Sequence, residues 1–148
     1  MSQRLGVFAM MLLLIASFAV VSASEQAPSV GNGGYIVEPF QGDDEEPFVI
    51  DTVYATITQG RTNWHTKAVS TFITTLNVDL NWGNPANSLQ LKIYSPDGFA
   101  FGPYYDNFDG YYDGRINLNI INSDGIAQGT WYYEVYGYSV TGTEDYSI

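Results

Sequence analysis

Cysteine is absent from all 148 residues. The chain therefore has no disulfide framework and no thiolate metal site. Histidine is nearly absent: His65 alone rules out a multi-histidine zinc cluster within one chain. Basic residues are scarce, 5 against 16 acidic, for a net charge of −11. That balance argues against nucleic acid as a partner, because phosphates need Lys and Arg to replace their counterions. It argues equally against anionic lipid head groups. A divalent cation, a basic partner or a plain solvated acidic surface all remain compatible with it. No glycine-rich phosphate loop, nucleotide fingerprint or Asn-x-Ser/Thr sequon occurs. Beyond the N-terminus no helix-length stretch repeats its apolar residues every 3.6 positions, which excludes a helical fold.

One long hydrophobic run is present. Leu5 to Val21 is unbroken apolar or small, with Arg4 before it and Val21-Ser22-Ala23 after it. This is the pattern of a signal peptide over residues 1–23, cleaved after Ala23, with Ser24 as the alternative. The chain is then secreted, extracellular or at the cell surface, and touches a membrane only if that segment stays uncleaved. Residues 24–50 read as a flexible acidic leader: Gly31-Asn32-Gly33-Gly34 is loose, and Asp43-Asp44-Glu45-Glu46 is a solvated run. Within it, Tyr35-Ile36-Val37 and Pro47-Phe48-Val49-Ile50 can pair at a sheet edge.

From residue 51 onward the period is two. Val53, Ala55 and Ile57 alternate with Tyr54 and Thr56. Trp64, Thr66 and Ala68 are expected on one face of a strand, with His65 and Lys67 on the other. Leu76, Val78, Leu80 and Trp82 make the cleanest half-buried strand, followed by Leu89, Leu91 and Ile93, then Ile116, Leu118 and Ile120. Trp131, Tyr133 and Val135 point one way along the strand 130–138, and Tyr132, Glu134, Tyr136 and Tyr138 the other. A strand with bulk on both faces must cover something on both, or display rings to a partner. Residues 145–148 close the chain as a last strand. Turn signals such as Ser95-Pro96-Asp97-Gly98 separate these runs. The expected fold is an all-β antiparallel sandwich, jelly-roll-like, of about 7–9 strands. Its expected core includes Val53, Ile57 and Trp64 besides the residues of the clean strands.

Four landmarks recur in order over residues 52–148: Gln59-Gly60-x-x-x-Trp64; Leu76-x-Val78-x-Leu80-x-Trp82; Leu89-x-Leu91-x-Ile93-Tyr94-Ser95-Pro96-Asp97-Gly98; and Gly129-Thr130-Trp131-Tyr132 to Tyr138 with Tyr146. In this the chain resembles the bacterial and archaeal pre-peptidase C-terminal domain family, related to the collagen-binding modules of secreted collagenases. The resemblance implies a non-catalytic jelly-roll-like module that accompanies exported enzymes. Its partner would be an extracellular protein or polysaccharide, or a secreted peptidase encoded elsewhere. Many members carry Asp-x-Asp where this chain has Asn87-Ser88, so the family's calcium position is not reproduced here.

Two constellations can carry chemistry. Asp106, Asn107, Asp109 and Asp113 gather oxygen ligands within one loop, a candidate calcium site, although Asp-Gly pairs are also ordinary turn chemistry. The same loop, residues 99–113, holds Tyr104, Tyr105, Phe108, Tyr111 and Tyr112. These are candidate ligand-binding rings, and the competing reading is that they cap one end of the sandwich. Catalysis has no signature: no Gly-x-Ser-x-Gly elbow occurs, and His65 reads as an outward polar residue. The expected function is a secreted binding or adhesion module. The alternatives are a structural subunit that assembles by edge-strand addition and a small hydrolase dependent on His65.

Overall fold

A computed structural model of the chain describes residues 29–30, 32–42 and 52–148. The expected signal segment, the acidic run 43–46 and the edge segment Pro47–Ile50 lie outside the described residues. Among the described residues no helix is long and apolar enough to cross a membrane.

Ten strands are described: β1 (Ser29–Val30), β2 (Ile36–Pro39), β3 (Tyr54–Thr58), β4 (Thr62–Val69), β5 (Thr75–Asn81), β6 (Ser88–Tyr94), β7 (Ala100–Tyr105), β8 (Arg115–Ile121), β9 (Gly129–Ser139) and β10 (Thr143–Ser147). They form two sheets of antiparallel pairs, ordered β1-β2-β8-β5-β10-β3 and β4-β9-β6-β7. From β3 onward every connection crosses between the sheets, except the β6–β7 hairpin. That is the winding of a jelly roll, with β2 and β1 extending one sheet beyond β8. The all-β sandwich expected from the alternation is therefore the observed fold.

Alternation sets the core where strands are paired on both sides. Leu76, Val78 and Leu80 on β5 and Ile116, Leu118 and Ile120 on β8 face Leu89, Leu91 and Ile93 on β6 and Trp131, Tyr133 and Val135 on β9. Each such side chain, fully buried, is worth about 1.5–3 kcal/mol. Trp131 is completely enclosed, and its indole Nε1–H donates to the Ala127 carbonyl at 2.9 Å, so no polar atom is left orphaned.

Four expectations need correction. First, the leader is not all leader. Ile36–Pro39 pairs with β8 in four-residue register, because Tyr35 and Val37 are core residues, each 1% exposed. Tyr35 meets Phe99, Phe101 and Trp131 edge-on, at centroid distances of 5.7, 5.4 and 5.9 Å. Its hydroxyl donates to Asp97 Oδ2 at 2.8 Å and accepts from the Ala127 N–H at 3.2 Å. Burial first, then the Asp97 carboxylate, raises its pKa.

Second, β4 has the opposite parity. Trp64 is 57% exposed, while His65 is half-buried and its Nε2 lies 2.7 Å from the Tyr146 hydroxyl. Asn63 Nδ2 donates to that hydroxyl at 2.9 Å. The inner face of this edge strand thus meets polar partners on β10, and the tryptophan is turned out. Third, Val53 is exposed. It lies beyond the end of β3 and exchanges backbone hydrogen bonds with Ile148 there.

Fourth, residues 99–113 are not one loop. Ala100–Tyr105 is a full strand paired with β6, followed by a 3-10 turn at Asp106–Asp109. A bulge between Leu91 and Ile93 shifts the register, so Phe101 and Tyr104, three apart, both point inward. Gly102 makes this bend feasible: its φ is +97°, and a Cβ there would sit 2.8 Å from the Leu91 carbonyl oxygen.

Candidate binding face on the four-stranded sheet

The residues of β9 that face away from the core are Tyr132, Glu134, Tyr136 and Tyr138. Pairing decides what stands beside them. Trp64 on β4 lies opposite Glu134, and Lys92 on β6 lies on the other side of it. Thr66, Tyr132 and Tyr94 form the next row, and Tyr136, Gln90 and Tyr105 another. Four strands thereby set six aromatic side chains on one outer surface: Trp64, Tyr94, Tyr105, Tyr132, Tyr136 and Tyr138.

The rings are held by a polar network. Trp64 packs on Tyr94 with centroids 5.6 Å apart and planes tilted by 36°. The Tyr94 hydroxyl donates to Glu134 Oε2 at 2.6 Å, and that bond, followed by burial, raises the Tyr94 pKa. Lys92 Nζ stands 3.8 Å from Glu134 Oε1. Gln90 Nε2 donates to the Tyr105 hydroxyl at 2.6 Å, and Tyr105 meets Tyr138 edge-on at 5.0 Å. Tyr132 and Tyr138 are about half exposed. Six strand positions separate them, or roughly 20 Å at about 3.3 Å per residue.

At its Tyr138 end the face runs into a cavity of about 360 Å³ lined by Ser88, Tyr105, Asp106, Asn107, Tyr112 and Tyr138. Among the described residues that line it, none is basic. The expected ligand-binding residues therefore divide. Tyr105 and Tyr112 line the cavity, and Tyr112 is 72% exposed. Tyr111 is exposed beside it in sequence but outside the lining. Tyr104 is buried, with its ring 4.7 Å from that of Phe108, which packs against the core. Tyr104 and Phe108 close the sandwich, as the capping alternative has it.

The expected calcium ligands also part company. Asp106 is 3% exposed, and its Oδ1 accepts the backbone N–H groups of Asp113, Gly114 and Arg115 at 3.2, 2.9 and 3.2 Å. Asp109 Oδ1 accepts the Tyr111 N–H at 3.0 Å. Asn107 lines the cavity, and the Asp113 side chain is exposed. Among the described residues no group of three or more His, Asp or Glu is brought together to hold a metal ion. Asp106 instead clamps the loop that carries Tyr112.

Sequence reasoning missed Trp64, Tyr94, Tyr132, Tyr136 and Tyr138 as members of this face. The bulk on both faces of β9 was the available signal, but only the strand order shows that Trp64 and Tyr94 flank it.

No family model matches the chain. It is 49% identical over 49 residues to an uncharacterized protein of Archaeoglobus fulgidus, an alignment that covers 33% of this chain and 68% of the archaeal protein.

Proposed function

The chain belongs to one family with that archaeal protein, and we propose that it is a secreted, non-catalytic binding module of the pre-peptidase C-terminal type whose ligand is a polysaccharide. The observation that carries this reading is the row of exposed rings on the four-stranded sheet, continuous with the Tyr105–Tyr112–Tyr138 cavity. Rings on a rigid sheet offer flat apolar surfaces for the apolar faces of sugar rings at little ordering cost. The tyrosine hydroxyls, Gln90, Glu134 and Lys92 stand between them as hydrogen-bonding groups for sugar hydroxyls. A face of roughly 20 Å suits a chain of several units rather than a single sugar. The net charge of −11 favours a neutral polymer over an anionic one.

A self-assembling subunit is the second reading. β4, eight residues long, is an edge of its sheet among the described residues, and such an edge is a template for strand addition. Concentration-dependent size in solution would favour it.

The test of the first reading is co-sedimentation of the secreted chain with insoluble cellulose, chitin, xylan and starch. Wild-type protein should pellet with at least one of them. The double variant Trp64→Ala, Tyr132→Ala should stay in the supernatant while remaining folded, as a cooperative thermal transition shows. Retention of the variant by the same polymer, or no pelleting of the wild type with any, would defeat the reading.

A further inference from the structure

The six-stranded sheet is not continuous. β10 pairs with β3 along its whole length but shares only one residue pair with β5, Ser147 with Asn81. In that register the preceding residues of β10 would lie beside Trp82 and Gly83. Those two turn the other way instead, and both donate their backbone N–H to the Gly114 carbonyl at 2.9 Å. The sheet splits at this point and leaves a cleft of about 550 Å³, lined by Tyr54, Ala55, Thr56, Asn81, Trp82, Gly83, Asp145, Tyr146 and Ser147.

The cleft has the size and character of a small-molecule site. Its floor is apolar: Trp82 and Tyr146 are buried. The Trp82 Nε1–H is already shared between the carbonyls of Asn84 and Asn87, at 3.1 Å each, so the indole offers only its hydrocarbon surface. The rim carries an aromatic ring, Tyr54, which is 83% exposed. Beside it stand an amide (Asn81), two hydroxyls (Thr56, Ser147) and a carboxylate (Asp145). No basic side chain is among the described residues that line it, so a phosphate or other anion finds no counter-charge there. The Ser147–Asn81 pair closes one end, which stops an extended peptide from passing through as an added strand. A ring wall with amide, hydroxyl and carboxylate partners in a short blind cleft fits one or two sugar units.

We propose that this cleft is a second sugar site, on the opposite sheet from Trp64, and that the module thereby bridges two polymer chains. The proposal rests on the polysaccharide reading above. Its test is isothermal titration of the secreted chain with soluble hexaoses of the cellulose, chitin, xylan and starch types. Wild-type protein should bind two equivalents of one of them. Tyr54→Ala should bind one equivalent, as should Trp64→Ala, Tyr132→Ala, and Asp145→Asn should weaken the Tyr54-dependent site at least tenfold. Tyr54 and Asp145 are exposed, so these variants should keep the wild-type melting temperature, and that measurement accompanies each titration. A single equivalent that survives Tyr54→Ala and vanishes with Trp64→Ala, Tyr132→Ala would remove the cleft and leave the aromatic face standing. Absence of binding by every hexaose would overturn both.

Discussion

Asp106 is a buried polar residue outside the apolar core whose loss should be costly. Its carboxylate is almost fully enclosed, and one oxygen gathers three successive backbone amides. Asp106→Ala leaves the Gly114 N–H, whose bond is buried, without an acceptor, at about 1–3 kcal/mol. The Asp113 and Arg115 amides are partly buried and regain water on loosening, so each loses only the net value of a bond, about 1 kcal/mol. The expected destabilisation is therefore about 3–5 kcal/mol. At about 4 °C per kcal/mol for a domain of this size, the melting temperature falls by roughly 12–20 °C. Asp109→Ala is the control: its carboxylate accepts one exposed amide, and its loss should cost under about 1 kcal/mol. Urea unfolding followed by near-ultraviolet circular dichroism measures both. The clamp consists of amides, so EDTA should leave the difference between the two variants unchanged. If Asp106→Ala and Asp109→Ala cost the same, or if chelation alone reproduces the Asp106 loss, the clamp argument is wrong.

The face assignments and the buried imidazole make two further predictions. Trp131→Ala should cost about 3–5 kcal/mol, because the ring is fully enclosed. Trp64→Ala should cost no more than about 1.5 kcal/mol, the scale of its packing on Tyr94. A reversal of that order in urea midpoints would show that the strand faces are misassigned. His65 is held below its usual pKa of 6.5 by burial, so the fold prefers the neutral ring. The unfolded chain then binds the proton first as pH falls. The stability this group contributes is complete above about pH 6.5 and is lost progressively below it. Urea midpoints at about pH 7.5 and 5.5 should differ more in wild type than in His65→Gln, and equal differences would refute the assignment.

Much of the fold was legible because a strand buried on one face must alternate. Leu76-x-Val78-x-Leu80, Leu89-x-Leu91-x-Ile93 and Trp131-x-Tyr133-x-Val135 announce both their strands and their inward sides, and the structure puts each where the period says. The misreadings fall where that pressure is weak. Among the described residues β4 has one strand neighbour, so a half-buried histidine with a tyrosine partner can take the inner side and leave a tryptophan outside. In β7 the bulge replaces spacing of two by spacing of three at Phe101 and Tyr104, which hides the strand inside what looks like a loop. Tyr35-Ile36-Val37 was legible as a segment able to pair at a sheet edge, but its Gly-rich, acidic neighbourhood hid that Tyr35 and Val37 belong to the core.

By itself, then, the sequence determined the all-β class, the turns, most of the core and the double-sided character of β9. These are local properties: alternation, turn chemistry and side-chain bulk are set by residues a few positions apart. The site was decided by tertiary structure. Trp64, Tyr94, Tyr105 and Tyr132 come from four strands, and only hydrogen-bonded register brings them onto one surface. The opposite cleft exists because β10 meets β5 at one residue pair. Asp106 became a clamp on three backbone amides because the loop folded back onto it. Contacts between distant residues are chosen by the closing of the two sheets, and no local pattern encodes that choice.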